Sequence, residues 1–165
     1  MYTINMSVSN SNINLKNLLS FDVFDTLQYT NVELIESCEL IQIISDSVRL
    51  YLYKFNSFNQ SFGLPKQYMY VRVTKHTIGT TIIFTSEHEE VEYENNKELK
   101  QKIKYYAPLI CIHSQLELLI HDEHSIEVKY DFNIQSQEEM PIFAKHIMGM
   151  SIKKIYINLK TFIEQ

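Results

Sequence analysis

Glycine and proline are scarce, with three of each in 165 residues. The glycines, Gly63, Gly79 and Gly149, stand too far apart for a loop that cradles phosphate, which needs several within a few residues. Two cysteines, Cys38 and Cys111, do not make a disulfide framework. Each sits in an apolar pattern, so buried free thiols in a reducing compartment are expected. No apolar run approaches the roughly 18 residues that a membrane span needs. No basic region followed by an apolar stretch opens the chain, so secretion is not expected either. Basic charge is in deficit: 15 Lys and Arg against 20 Asp and Glu leave a net charge of −5. No global cationic field therefore draws nucleic acid or anionic lipid, although a local patch can. Internal repeats, low-complexity tracts and linkers are missing too.

What remains is an ordinary globular composition, 45% apolar and 21% charged. The length suits one domain with a real core, spanning residues 1–165. Tyr2, Ile4, Met6 and Val8 alternate with polar residues, the period of a half-buried strand. Residues 15–27 place Leu15, Leu18, Leu19, Val23 and Leu27 on one helical face, with Asn14 as cap. Residues 31–44 carry a second such face through Leu34, Ile35, Cys38 and Ile41. Val48, Leu50 and Leu52 then read as a strand, and residues 56–66 as a long loop.

The second half is more regular. Residues 68–74 and 80–85 suggest a hairpin, with Gly79 able to take a positive φ at its turn. A short lysine-rich helix follows near residues 97–104. Residues 116–120 and 126–132 form the cleanest hairpin, with Ile126, Val128, Tyr130 and Phe132 on one face. A helix is expected over 139–148, with Pro141 in its first turn, and a last strand through Ile155, Ile157 and Leu159. The expected fold is α+β, a single domain whose antiparallel sheet is packed by two to four helices.

Residues 18–27, LLSFDVFDTL, resemble the first motif of the haloacid dehalogenase superfamily, with Asp22 at the place of the nucleophile. Phe24 stands where the phosphatases of that family carry a second acid. The resemblance implies a hydrolase, with Thr85, Lys100, and Asp122 with Glu127 as sketches of the later motifs. It also implies a parallel doubly wound sheet, which alternating strands oppose. The alternative for this segment is an amphipathic helix in the core with Asp22 as a surface charge.

His121, Asp122, Glu123 and His124 offer donors for zinc or another divalent ion, with His113 as a further donor, but they fall where the cleanest hairpin must turn. A solvated turn is the preferred reading, and no metal, cofactor or catalytic residue is assigned.

A second resemblance rests on TINMSVSNSN at residues 3–12, QLELLIHDEHSIEV at 115–128 and AKHIMGMSIKK at 144–154. In that order these strings resemble the globular domain of rhabdovirus matrix proteins. The resemblance implies a non-enzymatic viral structural protein linking nucleocapsid to the inner membrane surface and self-associating during assembly and budding. Host factors would be further partners, and no small-molecule substrate would be needed. Lys97, Lys100, Lys102 and Lys104 would form one membrane or nucleocapsid contact; Lys153, Lys154 and Lys160 would form another. Phe55, Phe58 and Phe62 would line a self-association loop. The protein would then be found in the virion and host cytoplasm, peripheral at the membrane. The chain lacks that family's lysine-rich N-terminal arm, and its charge is negative where the family is basic. A small intracellular binding or accessory module is the remaining alternative.

Overall fold

A computed structural model describes residues 1–56, 65–92, 96–136 and 139–165. Seven strands form one sheet: β1 (Tyr2–Ser9), β2 (Ile35–Ser45), β3 (Val48–Phe55), β4 (Gln67–Ile78), β5 (Thr81–His88), β6 (Ala107–Asp122) and β7 (Ser125–Ser136). Their order across the sheet is β1-β7-β6-β5-β4-β3-β2. All neighbours in that order pair antiparallel; a short parallel contact joins the first residues of β4 and β6. Three helices complete the α+β fold: α1 (Asp22–Tyr29), α2 (Lys97–Ile103) and α3 (Ile142–Glu164). A 3-10 turn, Leu15–Leu19, precedes α1.

Alternation divides each strand between two faces. On the inner face, Val8, Tyr51, Val73, Phe84, Leu118 and Phe132 join α1 and α3 in the main core. On the outer face, Leu50, Leu52, Tyr68 and Tyr70 meet Leu99 and Ile103 of α2. The α2 pair is spaced i, i+4, so one turn of a short helix is enough to cover that patch.

The 15–27 helix is present but broken at Ser20 and Phe21, where the 3-10 turn gives way to α1. Ser20 Oγ accepts the Asp22 N–H at 3.2 Å, and Val23, Phe24 and Leu27 face inward. Gly79 has φ 59° at the β4–β5 turn, as a tight reversal requires.

Two expected elements are corrected. Residues 35–45 form an edge strand rather than a helix. The β2 register slips between Ile35 and Ser37, between Leu40 and Gln42, and between Ile43 and Ser45. Each bulge adds a residue, so Ile35 and Cys38 both face inward although three positions apart. That spacing imitates a helix. The expected last strand at 155–159 belongs to α3, a helix of 23 residues and so roughly 34 Å long. Its inward face runs through Met148, Ile152, Ile155, Tyr156, Leu159 and Ile163, at intervals of three and four.

Candidate functional site

Between the inner face of the sheet and α3 lies a cavity of about 70 Å³. One wall is apolar: Phe24 and Leu27 of α1, Ile35 of β2, Phe55 of β3, and Met69 and Val71 of β4. The other wall, from β5 to β7 and α3, carries Ser86, Cys111, Ser114, Tyr130 and Tyr156 among apolar neighbours. Tyr53 adds a hydroxyl on the first side. Among the described residues, no charged side chain lines the cavity.

A bulge builds the polar wall. Cys111 pairs with Ile134 and His113 with Asn133, so β6 spends two steps against one of β7. The extra residue reverses the phase of β6. Cys111 and Ser114 are therefore both buried, while Ile112 is exposed. Without the bulge, Ser114 would point out of the fold.

The buried polar groups lie against one another. The rings of Tyr130 and Tyr156 stack with centroids 4.4 Å apart. Ser114 is placed to interact with both the Tyr130 hydroxyl and the Cys111 thiol. Cys111 Sγ reaches the Ser86 carbonyl at 3.5 Å. Across the cavity the Tyr53 hydroxyl bonds Cys38. Burial pushes Tyr130 up to about 12, Cys38 to about 12 and Cys111 to about 11. Burial also holds Tyr53 and Tyr156 well above the ordinary phenol range. The whole lining is neutral at physiological pH.

Asn31, just after α1, fixes α3 in place over this cavity. It is 2% exposed, and its Nδ2 donates to the carbonyls of Leu27 at 2.8 Å and Ile155 at 3.0 Å. Its Oδ1 accepts from Asn158 Nδ2 at 2.8 Å. Ile155 itself lines the cavity. The phase break between Cys111 and Ser114 was the one local trace of the site in the sequence. Asn31, Tyr130 and Tyr156 carried no signal beyond ordinary core composition.

The residues named from the sequence lie elsewhere. Asp22 is the exposed first residue of α1, where its charge suits the helix N-terminus, and not the end of a parallel strand. Thr85 sits on β5, donating weakly to the Thr74 carbonyl at 3.5 Å. Asp122, Glu123 and His124 are exposed at the β6–β7 turn, where His124 Nδ1 lies 2.6 Å from the Ile13 carbonyl. Glu127 pairs with His121 at 3.4 Å.

The lysines are spread over two elements. Lys97, Lys100 and Lys102 lie on α2 and Lys104 at its end, on the outer face. Lys102 is hydrogen-bonded to Glu39 and lies 3.5 Å from Glu98, and Lys104 rests over the Tyr105 ring. Lys153, Lys154 and Lys160 are on α3; Lys154 approaches Glu33 at 3.9 Å, and Lys160 donates to the Ser7 carbonyl at 2.7 Å. Phe55 is 4% exposed and lines the cavity. Phe58 and Phe62 lie outside the described residues.

No family model and no curated protein matches the sequence. Solved structures do match the fold. The human StarD13 (DLC2) lipid transfer and protein localization domain superposes with TM-score 0.74 at 12% identity, over 98% of this chain and 76% of that one. Human StAR-related lipid transfer protein 5 gives 0.73 at 13%, over 98% and 74%. A STAR-related lipid transfer protein from Xanthomonas axonopodis gives 0.68 at 11%, over 99% and 85%.

These likenesses overturn both resemblances drawn from short strings. The haloacid dehalogenase reading needs a parallel doubly wound sheet, and this sheet is antiparallel. The matrix reading needs a strand after Gly149, where α3 continues unbroken. With it fall the viral structural role, the nucleocapsid and inner-membrane partners, the virion location and the exclusion of a small-molecule ligand. Among the described residues, no helix is long and apolar enough to cross a membrane. A seven-stranded antiparallel sheet gripped by a long C-terminal helix is the fold this chain shares with the StAR-related lipid-transfer domains.

Proposed function

We propose that the protein is a non-enzymatic binding module that holds an apolar small molecule between the sheet and α3. The observation that carries this reading is the cavity itself. Protein interiors close-pack, and a space lined by side chains from six strands and two helices is not a packing default. Its mostly apolar lining with a few placed hydroxyls is the chemistry of small-molecule sites. Three of the proteins that share the fold are lipid-transfer proteins or domains by name, which agrees with it.

Size sets a condition. An engineered cavity of about 150 Å³ takes benzene, and ligand sites usually run to about 300 Å³ or more. The present cavity, about 70 Å³, holds only a few waters. Binding therefore requires the walls to part, through rotation of flexible side chains such as Met69 or displacement of α3.

Titration with the neutral solvatochromic dye Nile red tests the reading. Saturable, one-to-one enhancement is expected for the wild type. It should be lost in Val71→Phe and in Leu116→Phe, which fill the cavity from opposite walls, with far-ultraviolet circular dichroism unchanged. Enhancement that does not saturate, or that survives in both folded variants, would place the dye on the surface and end the proposal.

A further inference from the structure

The polar groups of the cavity are not scattered. Ser114, Tyr130 and Tyr156 come from β6, β7 and α3 and line one wall of the cavity beside Cys111, with the two tyrosine rings stacked at 4.4 Å. Opposite them Phe55, Met69 and Val71 present only apolar surface. A ligand in this space would meet a polar pole and an apolar pole.

Two facts restrict what the polar pole accepts. First, among the described residues no lysine, arginine or histidine lines the cavity. A carboxylate or phosphate placed there would be a buried charge without a partner, which opposes binding strongly. Second, the polar groups of this wall are hydroxyls, each able both to donate and to accept, so a ligand hydroxyl, which also does both, is matched in either sense.

Building on the proposed binding role, we propose that Ser114, Tyr130 and Tyr156 form a subsite for one uncharged hydroxyl of an otherwise apolar ligand. The class is a neutral alcohol or phenol, with its body against Phe55, Met69 and Val71. Fatty acids and phospholipid headgroups are excluded from this end of the cavity. The nearby Tyr53–Cys38 pair lies on the opposite wall and is not part of the subsite.

Three probes of one shape test it, each followed by its own fluorescence: naphthalene, 2-naphthol and 2-naphthoate at neutral pH. The wild type should bind 2-naphthol about tenfold more tightly than naphthalene, the worth of one well-made buried hydrogen bond. Binding of 2-naphthoate should be the weakest. Ser114→Ala and Tyr156→Phe should each bring 2-naphthol down to the affinity of naphthalene. Naphthalene should weaken less than 2-naphthol in both variants, and an unchanged far-ultraviolet circular dichroism spectrum shows that they remain folded. If 2-naphthol binds no better than naphthalene, or 2-naphthoate binds best, the subsite is overturned while the cavity reading stands. If the variants weaken naphthalene as much as 2-naphthol, the subsite is likewise overturned, because the hydroxyls then only support the fold. If none of the three binds, the cavity reading fails and takes the subsite with it.

Discussion

On β3, Leu50 and Leu52 point to the outer face while Tyr51, Tyr53 and Phe55 point to the inner one, and the two sets pack to different ends. The outer set meets a seven-residue helix through two side chains, Leu99 and Ile103. Leu52 is fully buried there. The inner set meets a long helix across large aromatic rings, and the space left between them is mostly apolar with a few hydroxyls and the Cys111 thiol. One face of the sheet serves cohesion. The other keeps room at a cost in packing, the usual sign that a site has been favoured over stability.

The largest way to test this difference is alkali. Cys38, Cys111, Tyr53, Tyr130 and Tyr156 all belong to the inner side, and burial raises every one of them. In the unfolded chain the thiols lose their protons near 9.0 and the phenols near 10.0, well before the folded chain does. Above those values the unfolded state binds fewer protons, so stability falls as pH rises. It should be intact below pH 9 and lost progressively up to about pH 12. Tyrosinate absorbance and far-ultraviolet circular dichroism should change together for these buried phenols. Early, smooth titration of all eleven tyrosines without unfolding would show that the inner face is wet.

Truncation separates the faces next. Leu52→Ala and Leu116→Ala should each cost roughly 3–5 kcal/mol in denaturant unfolding, the range for buried leucines. Only Leu116→Ala enlarges the cavity, so only it should strengthen naphthalene binding. Equal gains in both variants would remove the distinction between the faces.

A smaller effect is expected at Asn31. Asn31→Ala removes four hydrogen bonds and leaves the Asn158 amide without its acceptor. A loss of about 2 kcal/mol follows from unpairing buried polar groups. Because one of those bonds ends on Ile155, amide exchange in the middle of α3 should quicken more than in the sheet. Exchange that changes evenly throughout the fold would show Asn31 to be ordinary core.

The same contrast explains what could be read from the sequence. The two hairpins, β1 and α2 were legible, because Tyr2 to Val8, Ile126 to Phe132 and the lysine-rich stretch follow regular periods. β2 was not, since its bulges put Ile35 and Cys38 at helical spacing. In α3, Ile155, Ile157 and Leu159 alternate by chance; Ile157 is 46% exposed, and the buried face continues through Tyr156 and Ile163. The cavity was the least legible part. Its lining comes from elements as distant as Phe24 and Tyr156, and no local pattern records that those side chains leave a gap.

The finest test concerns how α3 approaches β1. A Cβ on Gly149 would stand 2.5 Å from Tyr2 Cε1, so the glycine lets the helix come close to the Tyr2 ring. That ring stacks on Phe132 at 5.0 Å, and its hydroxyl donates to the Lys145 carbonyl at 3.1 Å. Gly149→Ala should gain about 1 kcal/mol of helix propensity. Displacing Tyr2 forfeits a stacked pair and a hydrogen bond, about the same amount. The net change in the wild-type background should therefore be near zero. In a Tyr2→Ala background nothing opposes the gain, and the full ~1 kcal/mol should appear. A double-mutant cycle by denaturant unfolding reads the difference directly. Identical effects of Gly149→Ala in both backgrounds would mean that Tyr2 does not hold this end of α3 against the sheet.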